Sequence, residues 1–302
     1  MHRRDALRWI GMAAAAAAGS GWSRGEAPVQ PHTRSIPSTG EALPVIGLGT
    51  WQTFDVGRAP EERAPLEEVL AAFAAAGGKL VDSSPMYGRA EEVLGDVAAK
   101  LGLRTKLFLA TKVWTSGKQA GIEQMEASFR KLRTERIDLM QVHNLLDVEH
   151  HLETLRAWKA AGRVRYVGIT HYTASAHEAV ARVMAAHPVD FVQINYSVAE
   201  RDAERRVLPL AKERGIAVLA NRPFAGGDLF RRLRTKPLPA FAAEIGCTSW
   251  AQLLLKFVVG HPAVTCAIPA TAKVAHLRDN MAAGFGPLPD AALRGRIAEE
   301  AA

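Results

Sequence analysis

The chain has 302 residues, with 38 Lys and Arg against 31 Asp and Glu, 48% hydrophobic residues and two cysteines. This composition excludes a disordered protein and a small disulfide scaffold, and it predicts a large globular core. No apolar run reaches the roughly 18 residues that a membrane span needs. The mild net charge of +7 comes without a basic cluster interleaved with aromatic residues, so nucleic acid is not a predicted partner.

Paired basic residues stand near the start of the chain, at Arg3 and Arg4, before a weakly apolar run from Ala13 to Ala18. That run is too short to cross a bilayer, and a Gly, Ser and Pro-rich stretch follows it. The pattern resembles a twin-arginine export signal and predicts a signal and linker over residues 1–30. We therefore expect a periplasmic or otherwise exported protein that uses the export machinery. A cytoplasmic location is the alternative, and the cleavage site stays open.

Two short glycine-containing segments follow. The stretch from Ser35 to Val45 has a Gly-containing turn between apolar flanks, and we expect a hairpin that covers the bottom of the fold. Gly47-Leu48-Gly49 then begins like a dinucleotide-binding loop, but Gln52 stands where that loop needs a third small residue. A dinucleotide, if bound, is therefore held without such a loop.

From about residue 43 onward, short apolar runs alternate with longer helical patterns, as in Leu66 to Ala76. Eight such units without a composition break predict an α/β fold over residues 31–302, a single (β/α)8 TIM barrel with a parallel eight-stranded core. The predicted strands are Val45–Leu48, Leu80–Ser83, Leu107–Val113, Asp138–His143, Val164–Ile169, Phe191–Tyr196, Ile216–Ala220 and Thr265–Ile268.

Polar residues end or closely follow the second, third and fourth predicted strands. Asp82 ends the second strand with Tyr87 five residues later, Lys112 ends the third, and His143 ends the fourth. Because the carboxyl ends of neighbouring barrel strands converge, an acid, a phenol, an amine and an imidazole are expected to share one small volume. Each alone has a structural explanation, such as a salt bridge or a packed ring. The four together predict a catalytic site.

Four separated motifs, in order, carry a resemblance to the aldo/keto reductase family over about residues 36 to 290. They are Gly47-Leu48-Gly49-Thr50-Trp51, the run from Val81 to Gly95, Lys112 with His143, and Ile268-Pro269-Ala270-Thr271. The resemblance implies an enzyme that reduces an aldehyde or ketone to an alcohol by hydride transfer, with a nicotinamide cofactor bound across the barrel mouth. A cofactor-bound barrel that acts as a regulatory or binding subunit would keep the same residues and is the alternative.

The chemistry of the four polar residues fits that reaction. A phenol has a free pKa of about 10 and donates weakly at neutral pH unless its anion is stabilised. We expect Lys112 to lower the pKa of Tyr87, the general acid, and Asp82 to pair with Lys112 and orient it. His143 is expected to donate a hydrogen bond to the substrate oxygen.

The resemblance also implies cofactor contacts, several of which depart from the family pattern. Thr170 stands where the family usually has Ser, and with Gln193 it is expected to hold the nicotinamide carboxamide. His171 replaces the usual Asn, and Asn221 replaces the Tyr that stacks on the nicotinamide ring. The full predicted set is Gly49, Thr50, Trp51, Thr170, His171, Gln193, Asn221, Arg222, Pro223, Phe224, Thr271, Lys273, His276, Asp279 and Asn280.

The eighth unit bears on the choice of cofactor. Ala270 and His276 stand where the family commonly has Lys and Arg, while Lys273 and Arg278 lie nearby. NADP is the expected cofactor. Because fewer fixed cations weaken the hold on its 2′-phosphate, the expected preference is reduced and NAD is a possible cofactor. Trp51 and Trp114 match positions that line the family's substrate pocket and predict an apolar, aromatic cavity for a small carbonyl substrate.

Two further groups of residues lack the spacing of a metal or redox site. His143, Asp147, His150 and His151 lack a regular ligand spacing, so no metal site is predicted, and the two adjacent histidines are expected in a solvated loop. Cys247 and Cys266 lack a redox spacing, and we expect buried thiols, although a disulfide stays open. The sequence leaves the physiological substrate, the direction of reaction and the oligomeric state open.

Overall fold

A computed structural model describes residues 30–302, so the predicted export signal lies outside the described residues. The described chain begins with an antiparallel hairpin of β1 (Thr33–Ser35) and β2 (Ala42–Pro44), as the sequence predicts. Gly40 takes a positive φ of 76° in the turn, a conformation that favours glycine. Ile36 and Leu43 are fully buried and close the bottom of the barrel.

The eight strands that follow form one parallel sheet in sequence order. Bridges from Ile46 to Ala267 and from Gly49 to Ala270 join the first strand to the last, so the sheet closes into a ring. The predicted (β/α)8 barrel is thereby confirmed. The strands are β3 (Leu48–Gly49), β4 (Leu80–Asp82), β5 (Phe108–Val113), β6 (Ile137–His143), β7 (Val164–Thr170), β8 (Phe191–Asn195), β9 (Ala217–Asn221) and β10 (Cys266–Ala267).

Two glycines at the first barrel strand allow neighbouring backbones to approach closely, Gly47 beside β4 and Gly49 at the seam where the barrel closes. A Cβ on Gly47 would lie 2.9 Å from the Leu80 carbonyl oxygen, and one on Gly49 would lie 2.8 Å from the Ile268 carbonyl oxygen. Both positions therefore need glycine because two neighbouring backbones approach closely. β3 is shorter and later than the predicted strand at Val45–Leu48.

Helices alternate with the strands and pack around the barrel. The first begins at Pro60, before the predicted Leu66, because the Glu62 carboxylate accepts hydrogen bonds from the backbone N–H groups of Gly57 (3.1 Å) and Ala59 (3.3 Å). Within residues 30–302 the helices are α1 (Pro60–Ala75), α2 (Ala90–Lys100), α3 (Lys118–Lys131), α4 (Val148–Ala160), α5 (His177–Ala186), α6 (Val207–Arg214), α7 (Asp228–Leu233), α8 (Trp250–Val259), α9 (Val274–Ala282) and α10 (Ala291–Ala301). None of these described helices has the length and apolarity needed to cross a membrane.

The barrel interior changes from apolar to polar along each strand. Inward positions alternate with a period of two, so a strand such as β6 presents Leu139, then Gln141, then His143 on one face. The lower positions join an apolar cluster with Phe108, Tyr166 and Phe191. The upper positions carry the polar groups, and the site therefore lies at the carboxyl ends of the strands.

Candidate active site

Asp82 and Lys112 form a buried ion pair at the ends of β4 and β5. The Lys112 Nζ lies 2.6 Å from Asp82 Oδ2 and 2.7 Å from the backbone carbonyl oxygen of Ser83. The Lys112 side chain is 0% exposed and the Asp82 side chain is 3% exposed, so water screens their charges little. The electrostatic attraction of Asp82 holds the pKa of Lys112 above its usual value despite burial. Lys112 is therefore a fixed positive charge.

Tyr87 lies beside that charge, in the turn between β4 and α2. The Lys112 Nζ is 4.9 Å from the centroid of the Tyr87 ring, and that ring stands edge-on to the His143 ring at 6.4 Å between centroids. Lys112 acts in the predicted direction, but burial outweighs it and raises the pKa of Tyr87 above its ordinary value. In the free protein the Tyr87 phenol is thus protonated at neutral pH.

His143 closes the same volume from the end of β6. Burial lowers the pKa of its imidazole to about 3, helped by the Lys112 charge and then by His171. The ring is therefore neutral at ordinary pH, and its Nδ1 atom is buried without a hydrogen-bond partner among residues 30–302. The structure thus brings all four predicted catalytic residues to one end of the barrel.

One polar residue of this group, Gln141, was not among the predicted site residues. Its Nε2 atom lies 3.1 Å from Asp82 Oδ1, and the Nε2 atom of Gln193 lies 2.8 Å from the same oxygen. The signal was available, because Gln141 precedes His143 by two positions and must share its face of the strand.

The residues expected to hold the carboxamide gather around Gln193. Its Nε2 donates to Asp82 and Gln141, and its Oε1 accepts from Thr170 Oγ1 (3.2 Å) and Asn221 Nδ2 (3.3 Å). The hydrogen-bonding capacity of the Gln193 amide is thus filled by the protein itself. Asn221 also donates to the His171 carbonyl oxygen at 3.1 Å, and its own Oδ1 is buried without a partner in the described chain.

His171 is fixed by its own loop. Its Nδ1 accepts from the backbone N–H groups of Tyr172 (3.0 Å) and Thr173 (3.3 Å), so the proton of the neutral ring is on Nε2. The ring stacks on Tyr172, with 5.6 Å between centroids. Tyr172 is 47% exposed, which places a second aromatic ring at the barrel mouth.

The loop after β9 carries Arg222, Pro223 and Phe224. Arg222 and Ala225 both have positive φ, near 50°, and Gly226 and Gly227 continue in that region. The backbone N–H groups of Ala225 and Gly227 donate to the carbonyl oxygens of Arg222 (2.8 Å) and Phe224 (2.9 Å), so the loop is closed by its own turns. The Arg222 Nε atom is buried without a hydrogen-bond partner in residues 30–302.

The predicted adenine-side residues lie around the start of α9. Thr271 accepts from the backbone N–H of Lys273 at 3.1 Å, while the side chains of Lys273 and His276 are exposed. Asp279 accepts from Ser249 Oγ (2.8 Å), and from Gln252 Nε2 at 2.6 Å. Asp279 is thus engaged with the first turn of α8, and Asn280, the last of the predicted set, is buried.

The two tryptophans predicted to line the substrate pocket lie at the barrel mouth. Trp51 is 45% exposed and Trp114 is 37% exposed, and the Trp114 ring lies 6.1 Å from the His143 ring. Thr50, next to Trp51, is buried and donates to the Asp82 carbonyl oxygen at 3.0 Å. Among the predicted cofactor residues, Thr50 and Gly49 therefore shape the wall of the barrel below the mouth.

The loop that carries Trp114 is tied to α4, and this overturns one expectation. His151 and His150 lie within α4 and not in a solvated loop, and His151 is fully buried with its Nε2 2.7 Å from the Thr115 carbonyl oxygen. Asp147 accepts from the Gly117 backbone N–H at 2.7 Å. In the described residues no group of His, Cys, Asp and Glu is arranged to hold a metal, and both cysteines are buried and unbonded.

Comparison with known proteins gives a consistent match. The sequence model of the Aldo/keto reductase family matches residues 45–294. Methylglyoxal reductase YeaE of Escherichia coli (strain K12) is 31% identical over 248 residues, which cover 80% of this chain and 85% of that protein. Aldo-keto reductase YhdN of Bacillus subtilis (strain 168) is 31% identical over 201 residues, 61% of this chain and 60% of that protein.

Solved structures agree with the sequence comparison. An aldo/keto reductase from Klebsiella pneumoniae in complex with NADP and acetate superposes with a TM-score of 0.75 at 26% identity, covering 90% of this chain and 95% of that one. An aldo-keto reductase from the same organism in complex with NADPH gives a TM-score of 0.74 at 25% identity, covering 90% and 94%.

Proposed function

The chain belongs to the aldo/keto reductase family, which makes it an NADP(H)-dependent carbonyl reductase, and we propose that Tyr87 is the residue that protonates the substrate. The observation that carries this role is the buried ammonium beside the Tyr87 ring. The Lys112 ammonium donates two of its three hydrogens, to the Asp82 carboxylate and to the Ser83 carbonyl oxygen. The third is available to the Tyr87 hydroxyl oxygen.

The side chains divide the work of carbonyl reduction. The cofactor, when bound, supplies the hydride for the carbonyl carbon. Tyr87 donates its proton to the carbonyl oxygen, and Lys112 stabilises the phenolate that remains. Neutral His143 donates its one N–H to the same oxygen, and this hydrogen bond fixes the direction from which the substrate carbonyl approaches Tyr87. Burial keeps Tyr87 protonated in the free protein, and the Lys112 charge stabilises the phenolate once the proton has been transferred.

The residues at the mouth fit a nicotinamide dinucleotide. Asn221 Oδ1 is a buried polar atom without a hydrogen-bond partner in the described chain, and such an atom requires a ligand or water. Arg222 Nε also makes no hydrogen bond there, and it lies 3.9 Å from the Glu200 carboxylate. The Asn221 amide oxygen suits the carboxamide N–H groups, and the Arg222 guanidinium suits the pyrophosphate. Thr170 and His171 complete the nicotinamide end, while Gln193 acts by orienting Asn221.

The substrate side of the mouth is aromatic and apolar. Trp51, Trp114 and Met86 are all more than a third exposed there. These rings and the thioether favour an aldehyde or ketone with an apolar substituent. The name of the Escherichia coli relative makes methylglyoxal one of the small carbonyls to be tested first.

A panel of aldehydes and ketones with NADPH and with NADH tests this function. We expect turnover that depends on Tyr87, and the reductase names of the curated relatives favour turnover over the regulatory alternative. Tight cofactor binding without reduction of any carbonyl would favour a regulatory or binding barrel.

We further propose that residues 1–30 direct the folded barrel out of the cytoplasm. Arg3 and Arg4 before the run from Ala13 to Ala18 support this. The twin-arginine route moves folded proteins, which suits a barrel that would take up its cofactor before export. Cell fractionation of the native chain and of an Arg3→Lys, Arg4→Lys variant tests it. Equal cytoplasmic retention of both proteins would mean that the segment is no export signal.

A further inference from the structure

The Asp82 carboxylate is held from both sides. Its Oδ2 receives the Lys112 ammonium at 2.6 Å, while its Oδ1 receives two amide groups, from Gln141 at 3.1 Å and Gln193 at 2.8 Å. The two glutamines also bond to each other, with Gln193 Nε2 3.2 Å from Gln141 Oε1. All four side chains are buried, so these contacts replace water completely.

Gln141 occupies space that the neighbouring strand leaves free. It pairs in register with Gly168 of β7, and a Cβ on Gly168 would lie 3.1 Å from Gln141 Cγ. Burying a primary amide costs several kcal/mol unless its hydrogen bonds are made. Here they are made with Asp82, Gln193 and, at 3.5 Å, the Thr111 carbonyl oxygen. None of these partners is at the substrate side of the mouth, so Gln141 acts through other residues.

We propose that Gln141 is a positioning residue for the reduction, which holds the Asp82 carboxylate so that the Lys112 charge remains directed at Tyr87. The inference rests on the proposed role of Tyr87 as the proton donor. Amide donors on Oδ1 draw negative charge away from Lys112 and stop the carboxylate from rotating. Without Gln141, Asp82 neutralises Lys112 more fully, and the Tyr87 phenolate is stabilised less.

Gln141→Met tests this, because methionine keeps the length and volume of the side chain and removes the amide. We expect the deprotonation of Tyr87 to move up by about 0.5 to 1 pH unit. The midpoint is followed in the cofactor-free protein by NMR of ring-labelled tyrosine, with Tyr87→Phe for assignment. The kcat/KM for carbonyl reduction should fall about tenfold, with the same upward shift in its pH profile.

Gln141→Glu provides a second signature that a loss of packing cannot produce. Its carboxyl has nearly the shape of the amide, and it can donate to Asp82 only while protonated. We therefore expect reduction by Gln141→Glu to approach the parent rate at low pH and to decline as the pH rises. Gln141→Met should show no such recovery.

Thr265→Val is the matched control, since it also removes a buried polar group from the barrel but at the opposite end of the strands. Among residues 30–302, Thr265 Oγ1 accepts only from the Val218 backbone N–H, at 3.0 Å. Tyr87 titration that is unchanged in Gln141→Met, or shifted equally in Thr265→Val, would overturn the inference. Because the titration needs no turnover, an inactive parent protein would refute the proposed function alone.

Discussion

Lys112 and Asp82 meet at 2.6 Å, in a contact from which water is excluded, at the ends of two adjacent parallel strands. Such a pair is costly to bury, and it is tolerated here because Lys112 also donates to the Ser83 carbonyl oxygen and Asp82 Oδ1 accepts from two amide groups. Stability and activity therefore depend on this pair in different ways.

Removing Lys112 alone should destabilise the protein strongly. Lys112→Met leaves the Asp82 charge buried without its partner, and we expect a loss of about 3–5 kcal/mol in the free energy of unfolding. Lys112→Met with Asp82→Leu removes both charges and should regain most of that stability without regaining reductase activity. Urea unfolding of the two single variants and the double variant measures the coupling. Additive losses would show that the two charges do not depend on each other.

Tyr87→Phe should abolish most of the reduction and leave the cofactor affinity in place. The Tyr87 ring lies beside the buried ammonium, and loss of one general acid costs roughly 10²- to 10⁴-fold in rate. Single-turnover reduction and cofactor titration measure the two quantities separately. Tyr172→Phe, at the exposed ring on the same mouth, is the control and should retain activity. Full activity in Tyr87→Phe would remove Tyr87 from the proposed role.

The catalytic group was predictable because parallel barrel strands end at one face. Asp82, Lys112 and His143 each end an apolar run, so convergence follows from the fold and needs no knowledge of side-chain contacts. The filled amide of Gln193 was not predictable in this way. It depends on Gln141, whose partner Gly168 comes from a separate strand, and no local pattern reports that pairing.

The error at His151 has a similar origin. A polar pair of histidines indicates solvent, but the imidazole of His151 fits against Gly121 of α3, where a Cβ would lie 2.4 Å from its Cε1 atom. The space is created by a glycine 30 residues away. Long-range complementarity of this kind can be seen only once the two helices are packed.

His143 should make the protein less stable as the pH falls. Its pKa is about 3 in the folded state against 6.5 in an unfolded chain, so the unfolded state binds the proton first. The stability that neutral His143 contributes is complete above pH 6.5 and is lost progressively toward pH 3, by at most about 1.4 kcal/mol per pH unit.

Comparing the free energy of unfolding of the parent and His143→Gln at pH 7 and pH 5 measures this loss. The parent should lose more stability than the variant by about 1–2 kcal/mol. His150→Gln is the control. The hydrogen bond with Asp147 raises the pKa of exposed His150, so removing the His150 imidazole cannot reduce the loss of stability at low pH. An NMR titration of His143 with a midpoint between pH 5 and 8 would contradict the argument.

Cofactor preference should be moderate and should depend on Lys273. Ala270 carries no charge and His276 stands where the family commonly has Arg, so Lys273 and Arg278 are the neighbouring cations in the sequence that can attract a 2′-phosphate. Both are exposed, and water screens their attraction for the phosphate. We therefore expect NADPH to bind more tightly than NADH, but by well under a thousandfold, and the difference should shrink with added salt.

Lys273→Ala should weaken NADPH binding and leave NADH binding unchanged, as measured by quenching of tryptophan fluorescence. Arg234→Ala, at an exposed cation after α7, is the charge-matched control and should change neither affinity. A preference for NADPH of about a thousandfold, which corresponds to about 4 kcal/mol, would require a buried phosphate clamp that these exposed side chains do not form.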